Sequence, residues 1–336
     1  MADQLSPAEL DPLSRARIVE PVVLDFYNEF VDIGCLECCE RIYGNLPPEV
    51  ASVIIGVQAT QVHKEKALWP IYTARGNGLD VEKAIGIGSA VDILWTLSVI
   101  MDDILDEDYS RAGGTTAWAV YGREEAERIA RTGLTAVLEY LHNIDELTCK
   151  LAREYVEIGM RSVNLHKDMG LSVNYGMIVR NYWMRDDFHS AFPFHALYGE
   201  DRSLGGRRLI HAFRIFNCGG QILNDFSDFR IQTNGSYRLS DLRGGRITMV
   251  LRRLYELVSE SDRVLIEKSF GNRNYNPEDE ERIVSIINES RFVNTLSSYV
   301  EDLYRRARNI IAGYFIPNDL KMVDNWIEYK LRRFRK

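Results

Sequence analysis

The sequence predicts an all-α protein: a single domain of packed helices with a central cavity. Apolar residues recur at helical spacing along almost the whole chain, and stretches that alternate apolar and polar residues, as strands do, are nearly absent. Clusters of turn-forming residues separate the periodic segments. No shift in composition, internal repeat or low-complexity segment marks a linker. We therefore expect one domain over residues 1–336, a bundle of roughly ten helices whose cavity is the natural place for chemistry.

Three segments show the helical period most clearly, in chain order. The first contains Val22, Val23, Phe26 and Phe30; the second contains Ile87, Val91, Leu94 and Leu97; the third contains Leu209, Phe213 and Phe216. Turn clusters lie at 45–48, 76–78, 113–114, 205–206, 234–236 and 271–272. Each cluster lies between long periodic segments, where a helix is expected to end.

Composition excludes several classes of protein. Of the 336 residues, 46% are hydrophobic and 27% are charged, which is close to the average of folded globular proteins and excludes intrinsic disorder. The 49 acidic side chains outnumber the 41 basic ones, giving a formal charge of -8. That balance argues against nucleic acid as a partner, although a few local cations or metal ions can still bind a small anion.

The sequence also predicts where the protein is found. Its start, Met1–Pro7, has neither the basic nor the apolar region of a signal peptide, and no apolar run approaches the roughly 18–20 residues that span a bilayer. Five cysteines are an odd number for a disulfide framework. Cys35-x-x-Cys38 lacks a second ligand pair for zinc, so these are expected to be small buried residues. We expect a cytoplasmic protein with reduced thiols and no transmembrane segment.

The densest chemical signal is the acidic run from Asp102 to Asp108, which follows an apolar helix. At 3.6 residues per turn Asp102 and Asp106 share a face with Asp103 adjacent, so their carboxylates can converge on Mg²⁺. A solvated helix end is the alternative. A calcium-binding loop starting at Asp106 is excluded, because Arg111 and Ala117 stand where that loop needs Gly and Glu.

A second polar cluster places Gln221, Asp225 and Asp228 on one helical face, at i, i+4 and i+7. Alone, this cluster is more typical of a polar stripe than of a metal site. Together with the first cluster, it is the arrangement expected for a diphosphate held through several Mg²⁺ ions, where a carbon–oxygen bond can ionise.

Three ordered motifs resemble those of the trans-isoprenyl diphosphate synthases, the polyprenyl synthetase family. Asp102, Asp103 and Asp106 match its D-D-x-x-D, and Arg111, Gly113 and Thr116 match the following R-R-G-x-P-T. Gln221, Asp225 and Asp228 match F-Q-x-x-D-D-x-x-D, with Asn224 for its first Asp and Gly220 for its Phe. Residues 241–248 resemble the D-L-x-E-G-K-x-T loop, with Gly244 for Glu and Arg246 for Lys.

The resemblance, which spans roughly residues 60–250, implies the isoprenoid synthase type I fold, with helices around a deep cavity. It implies an allylic diphosphate substrate, three Mg²⁺ ions and a homodimer. Five catalytic, metal-binding carboxylates are implied: Asp102, Asp103, Asp106, Asp225 and Asp228. Residues implied to bind the substrate are Lys66, Arg111, Gln221, Asn224 and Arg246.

The sequence departs from this family where family members bind isopentenyl diphosphate. In the stretch that matches G-G-K-R-x-R-P, Lys66 is kept and Trp69 replaces the last Arg. Trp95 replaces the His in the helix before the first motif, and Ala112 replaces the second Arg of R-R-G. Because phosphate recognition depends on charge-assisted hydrogen bonds, we expect no condensation with isopentenyl diphosphate.

On the allylic side, Tyr182 and Trp183 align with the family's K-T pair, although a small gap would instead bring Arg180 or Arg185 into that role. Trp69, Trp95, Tyr182 and Trp183 are then candidates to line the vacated pocket, where aromatic faces stabilise cations or stack on an acceptor. The alternative is that these four rings are ordinary core residues.

Leu97 and Ser98 lie at the family's chain-length positions. Neither is a large aromatic residue, so the resemblance implies a C15 or C20 allylic diphosphate.

Three hypotheses for function follow. The first is prenyl transfer to an acceptor without a diphosphate, most plausibly indole or another electron-rich ring. The second is a class I terpene cyclase, although Asp228 and Gln232 stand at the Ser and Glu positions of the cyclase pattern N-D-x-x-S-x-x-x-E. The third is a catalytically silent subunit, which the five retained aspartates disfavour.

Overall fold

The computed structural model describes residues 20–111, 114–167, 169–199, 204–229, 239–272, 274 and 276–335. Five features named from the sequence lie outside these residues: Met1–Pro7, Ala112, Gly113, Gln232 and the turn cluster at 234–236.

The all-α prediction is confirmed. The described residues form 17 helices, of which ten have 12 or more residues, and one hairpin of two two-residue strands. The estimate of roughly ten helices therefore matches the longer ones. The short helices at Ala117–Tyr121 and Ser240–Arg243 were not predicted individually, and the second lies at the start of the segment that resembles a loop of the family.

The elements of the first part of the chain are α1 (Pro21–Asp32), α2 (Cys35–Tyr43), α3 (Pro48–Thr60), α4 (Glu65–Asn77), α5 (Val81–Asp106), β1 (Ser110–Arg111), β2 (Gly114–Thr115), α6 (Ala117–Tyr121) and α7 (Arg123–Ile144). The next are α8 (Glu146–Lys167), α9 (Tyr175–Ser190), α10 (Phe192–Tyr198) and α11 (Leu204–Ser227). The last are α12 (Ser240–Arg243), α13 (Met249–Leu257), α14 (Glu260–Ser269), α15 (Pro277–Ile287), α16 (Ser290–Ile311) and α17 (Pro317–Arg335).

Local sequence explains where several helices begin. Proline occupies the first turn of α1 and of α3, where its missing N–H and fixed φ are tolerated. The Asp80 side chain accepts a hydrogen bond from the Lys83 N–H at 2.9 Å and so caps α5. Thr248 and Ser259 cap α13 and α14 in the same way. These caps satisfy amide groups that have no partner within the helix.

The chain divides into two compact units. The first comprises the described residues up to Glu154 together with Phe192–Gly206 and Tyr314–Trp326. The second comprises Tyr155–Ala191, Arg207–Gly313 and the residues from Ile327. The chain passes from one unit to the other within α8, α11 and α17. The single domain over residues 1–336 stays a prediction.

In the first unit, α4 and α5 pack closely over their length. A Cβ atom at Gly88 of α5 would overlap the carbonyl oxygen of Ala67 in α4, so only glycine allows this approach. An aromatic cluster lies beside α4, with Phe26 in edge-to-face contact with Trp69 and with Trp326 at 5.6 and 5.4 Å between ring centroids.

In the second unit, α11 carries the main apolar stripe. Phe213 and Phe216 are buried on it, and Phe216 lies 4.9 Å from the ring of Tyr304 in α16. Near its end, Phe226 packs at 4.8 Å against Phe334 of α17. These contacts fix the end of α11, where the second acidic cluster begins.

Among the described residues one helix, α5, is long and apolar enough to cross a membrane, with a mean hydropathy of 1.8 in its best window. The sequence analysis did not anticipate this. However, 78% of that window is buried within the protein, as in the core helix of a globular domain. The apolar character of α5 is thus weak evidence for a membrane span.

Candidate active site

The first acidic cluster lies at the carboxyl end of α5. Asp102 is exposed, Asp106 is half-buried and Asp103 is buried at 4% exposure. The helix ends at Glu107, whose φ of 57° is left-handed, and the Asp108 N–H donates to the Asp103 carbonyl at 3.0 Å. The three carboxylates therefore differ in environment although they are four residues apart at most.

A short hairpin returns Arg111 to this helix end. Its Nε lies 2.5 Å from Asp103 Oδ1, and its Nη2 lies 3.6 Å from Asp108 Oδ2. The hairpin is anchored because the Thr116 hydroxyl and the Trp118 indole N–H both donate to the Asp108 carbonyl at 2.7 Å. Arg111, which the resemblance assigns to the diphosphate, thus also orients Asp103. The role of Asp108 and Trp118 was not anticipated from the sequence.

The second acidic cluster lies at the end of α11, where Asp225 and Asp228 are both buried. The Tyr182 hydroxyl of α9 donates to Asp225 Oδ2 and accepts a hydrogen bond from the Met249 N–H at 2.9 Å. Burial and the nearby Asp241 raise the pKa of Asp225 well above its usual range, and the hydrogen bond from Tyr182 opposes this. Tyr182 therefore fixes the orientation of a predicted metal ligand.

Asp228 joins this cluster to the loop predicted to bind diphosphate. Its carboxylate accepts from the Ser240 hydroxyl at 3.1 Å and from the Asp241 N–H at 2.9 Å. Asp241 in turn pairs with Arg246, whose Nε lies 2.9 Å from Oδ1. The loop needs glycine at position 245, where φ is 64° and a Cβ would lie 3.2 Å from the Cα of Gly271.

Gln221 and Asn224 lie on α11 one turn or less before Asp225, in contrasting environments. Gln221 is buried; its Nε2 donates to Asp186 Oδ2 at 2.8 Å, and its Oε1 accepts from Arg185. Asn224 is exposed, and its carbonyl accepts from the Ser227 hydroxyl at 2.6 Å. Arg185, which had been only an alternative in alignment, is thus part of this cluster.

Lys66 and Trp95 lie together in the first unit, both half-buried. The Lys66 ammonium nitrogen is 2.7 Å from the centroid of the Trp95 ring, so the chain's own cation covers the face of that indole. Ser98, also half-buried, donates its hydroxyl hydrogen bond to the Trp95 carbonyl at 2.8 Å.

The other predicted pocket residues are placed differently. Trp69 is 2% exposed within the aromatic cluster formed with Phe26, and Leu97 is buried with its Cδ2 2.7 Å from where a Cβ of Gly133 would lie. Trp183 is half-buried, and the guanidinium of Arg214 lies 5.5 Å from its ring. For Trp69 these contacts are those of a core residue; that it lines a pocket stays a prediction.

A buried polar network near Lys66 was missed by sequence reasoning. Lys64 Nζ lies 2.8 Å from Asp92 Oδ2, and the side chains are 5% and 4% exposed. Gln58 Nε2 donates to the same carboxylate at 2.6 Å, and Tyr43 donates to Gln58 Oε1 at 2.6 Å. The available signal was Asp92 itself, a single charge within the apolar stretch of α5.

The two acidic clusters differ from a preformed metal site. Among the described residues, no group of three or more His, Cys, Asp or Glu side chains is placed so that it could hold a metal ion. Mg²⁺, however, usually keeps several waters and binds through one or two carboxylates plus substrate phosphates. The mutual repulsion of Asp225, Asp228 and Asp241 is what a cation would relieve. The carboxylates at the end of α11 therefore offer oxygen ligands of the kind that a hard cation such as Mg²⁺ prefers.

Solved structures share this architecture. A heptaprenyl diphosphate synthase from Staphylococcus aureus superimposes with a TM-score of 0.78 at 14% identity, over 91% of this chain and 98% of that one. A geranylgeranyl pyrophosphate synthase from Lactobacillus brevis gives 0.75 at 14%, over 89% and 95%. A polyprenyl synthase from Caulobacter crescentus, complexed with calcium and isoprenyl diphosphate, gives 0.74 at 16%, over 97% and 96%.

No protein-family model and no curated protein sequence matches this chain. The structural likeness nevertheless defines its class of fold. The protein has the all-α fold of the trans-isoprenyl diphosphate synthases.

Proposed function

We propose that the protein is a Mg²⁺-dependent prenyltransferase that ionises a C15 or C20 allylic diphosphate. The prenyl group is transferred to an acceptor that carries no diphosphate, and the acceptor is an electron-rich ring such as indole. The fold, the two acidic clusters at helix ends and the small Ser98 at a chain-length position support this proposal.

The observation that carries the choice of acceptor is the contact between Lys66 and Trp95. At three described positions where the resemblance expects groups for a second diphosphate, this chain has Lys66, Trp69 and Trp95. Two are indoles, and the single cation among the three lies on the ring of Trp95. A second diphosphate would have to displace that ammonium from the indole and would gain few charge-assisted hydrogen bonds in return.

The proposed reaction uses the side chains as follows. Asp102, Asp103, Asp106, Asp225 and Asp228 hold the metal ions, of which we propose three. When bound, Mg²⁺ neutralises the diphosphate and so lowers the barrier to its departure. Arg111 and Arg246, each oriented by a carboxylate, donate to phosphate oxygens. For Lys66 to do the same, its ammonium would have to leave the ring of Trp95.

The transfer breaks one carbon–oxygen bond and forms one carbon–carbon bond. The carbon–oxygen bond of the allylic diphosphate breaks, and its electron pair leaves with the diphosphate. A ring carbon of the acceptor bonds to the allylic cation. The ring proton goes to an oxygen of the departed diphosphate, which restores the aromatic acceptor.

Product analysis by mass spectrometry tests the proposal. The purified protein is incubated with geranylgeranyl diphosphate and Mg²⁺ alone, with added indole, and with added isopentenyl diphosphate. We expect a prenylated indole and no C25 diphosphate. A cyclic hydrocarbon or alcohol from the substrate alone would instead establish a terpene cyclase, and a C25 diphosphate would show chain elongation.

A matched pair of variants tests the aspartates. Asp102→Asn is expected to slow Mg²⁺-dependent diphosphate release by roughly a hundredfold, the scale of losing one electrostatic group at a reacting centre. Glu107→Gln removes one negative charge from the same exposed helix end and is expected to change the rate less than about twofold. Equal rates for the wild type and Asp102→Asn contradict the assignment.

We also propose that the protein is a cytoplasmic homodimer. All five cysteines are free thiols, as in proteins of a reducing compartment. Light scattering after gel filtration is expected to give twice the chain mass of 38.6 kDa. A mass of one chain contradicts the dimer.

A further inference from the structure

A buried carboxylate lies at the start of helix α4. Glu65, the first residue of that helix, is 6% exposed, and no described group donates a hydrogen bond to its Oε2. The first turn of a helix has N–H groups without partners inside the helix, yet none of them satisfies this oxygen. Nearly all buried polar atoms of folded proteins are hydrogen-bonded, so a buried carboxylate oxygen without a donor is unusual.

The two lysines next to Glu65 in the sequence contact other groups. Lys64 Nζ lies 2.8 Å from Asp92 Oδ2. Lys66 Nζ lies 2.7 Å from the centroid of the Trp95 ring. Neither lysine is therefore an ion-pair partner of Glu65, although it stands between them in the chain. A buried acidic group without a partner costs stability, and proteins keep such groups mainly where function uses them.

The surroundings of Glu65 are aromatic. Trp69 is one turn later on the same face of α4, at position i+4, and is 2% exposed. Trp95 of α5 carries the ammonium of the adjacent Lys66 on its face. Flat rings pack favourably against aromatic side chains. The start of α4 thus combines one carboxylate acceptor with two neighbouring indoles.

The carboxylate restricts which ligand can bind here. It accepts hydrogen bonds and repels anions, so a group that binds Oε2 has to bring an N–H or O–H donor or a positive charge. A diphosphate brings neither. Glu65 also stands where the G-G-K-R-x-R-P motif has its second glycine, so an acidic group is added where that motif has none. A flat ring with an N–H, such as indole, brings both the donor and an aromatic face.

We propose that Glu65 accepts a hydrogen bond from the ring N–H of the prenyl acceptor and so makes the enzyme selective for nitrogen heterocycles of the indole type. This inference rests on the proposed function, because it names the group that recognises the acceptor of that reaction. When a ring carbon of indole bonds to the allylic cation, positive charge develops at the ring nitrogen. A carboxylate at the N–H stabilises this charge as well as the bound ring.

Ligand-observed NMR titrations of the full-length protein with indole and with benzofuran test this proposal without catalysis. Benzofuran has the same ring shape but carries an oxygen in place of the N–H. Both titrations contain Mg²⁺ and inorganic pyrophosphate, which stand in for the allylic diphosphate and do not react. The wild type is expected to bind indole at least about tenfold more tightly than benzofuran, the scale of one hydrogen bond to a charged group.

Three variants assign this preference to one side chain. Glu65→Leu removes both acceptor oxygens at similar side-chain size and is expected to reduce the preference to less than about twofold. Glu65→Gln keeps one acceptor oxygen and is expected to retain part of the preference. Glu82→Gln is the matched control, because it removes an exposed carboxylate from the first turn of α5, and it is expected to keep the preference of the wild type.

Melting temperatures distinguish a binding effect from unfolding. Glu65→Leu is expected to melt no lower than the wild type, because an apolar side chain replaces a buried acidic group that has no partner. Equal affinity of the wild type for the two rings, or an unchanged preference in Glu65→Leu, overturns the inference. Binding of neither ring overturns it as well, whereas the proposed function is decided separately by the prenylated indole in the product analysis.

Discussion

Single residues in the first unit carry charges that burial makes costly. Lys64 and Asp92 are almost completely buried and pair at 2.8 Å, with Gln58 completing the bonds to the carboxylate. Burying both charges costs desolvation free energy. Removing one partner destabilises the fold further, because the remaining charge stays buried without compensation. The pair joins the start of α4 to the middle of α5, and α4 also carries Lys66.

Asp92→Asn is expected to lower the free energy of unfolding by about 3 kcal/mol, the lower end for breaking a buried pair. Urea unfolding followed by circular dichroism measures it. Lys83→Met breaks the more exposed pair with Asp145 and serves as the control, with an expected loss below about 1 kcal/mol. The assignment is wrong if both variants lose the same amount.

Asp319 is a second residue whose charge is destabilised by burial. It is 4% exposed, no described group donates to its Oδ2, and Arg75 Nη1 lies 3.5 Å from its Oδ1. Arg75 is shared with Glu29 at 2.8 Å, and Tyr72 donates to Glu29 at 2.5 Å. Burial, opposed by Arg75 and assisted by Glu29, raises the pKa of Asp319 from its ordinary 3.8 to about 6.

Because the pKa of Asp319 is higher in the folded protein than in the unfolded chain, binding of a proton to Asp319 stabilises the fold. This contribution to the free energy of unfolding is complete below pH 3.8 and is lost as pH rises through about 6. The melting temperature of the wild type is therefore expected to fall between pH 4 and pH 7 because of Asp319. Asp319→Asn removes this fall and is expected to melt higher than the wild type at pH 7.5. Parallel pH curves for the two proteins would refute the assignment.

At the scale of helices, Gly133 of α7 determines how closely side chains of α5 and α3 pack against the backbone of α7. Leu97 of α5 and Ile54 of α3 both point at Gly133 of α7, where a Cβ would lie 2.7 Å from Leu97 Cδ2 and 2.8 Å from Ile54 Cδ1. Leu97 lies at a position that the resemblance associates with chain length. Any group added at 133 must move it, so Gly133 indirectly sets the position of Leu97.

Gly133→Ala is therefore expected to displace Leu97 and to lower the ratio of kcat/KM for C20 over C15 diphosphate, by about threefold or more. Overpacking is also expected to cost about 1–3 kcal/mol of stability. Steady-state kinetics with both substrates measure the ratio. Gly56→Ala on α3, where a Cβ meets no atom within 4 Å, is the control and leaves the ratio unchanged.

At the scale of the whole molecule, the fold is shared with proteins of very different sequence. Identities of 14–16% accompany TM-scores of 0.74–0.78 with synthases of known structure. Helical period and close packing tolerate many apolar exchanges, provided that volume and pattern are kept. Recognition of a phosphate does not tolerate exchange of Arg or His for Trp, because the charge and donors are lost.

A single reversion is not expected to restore chain elongation. Trp95→His returns one polar group, but Ala67 stands at an Arg position of the motif and is fully buried. Incubation of Trp95→His with geranylgeranyl and isopentenyl diphosphates is expected to yield no C25 diphosphate. A C25 product would mean that Trp95 alone blocks the second substrate.

Much of the fold was predictable from the sequence because helices are encoded locally. The 3.6-residue period, the proline and cap residues at helix starts, and the spacing of Asp102 with Asp106 and of Gln221 with Asp225 all depend on neighbours within about two turns. The short helices α6 and α12 were missed, since four or five residues hold too little periodicity to be distinguished from a turn.

The sequence by itself determined the all-α class and the positions of both acidic clusters at helix ends. Only the tertiary structure decided what each side chain contacts. Tyr182 meets Asp225 across 43 residues, and Lys64 meets Asp92 across 28. Such pairs depend on how helices pack against one another, and no local pattern encodes that packing. For this reason only the structure shows that Lys66 lies on Trp95, that Tyr182 orients a carboxylate and that Arg185 contacts Gln221.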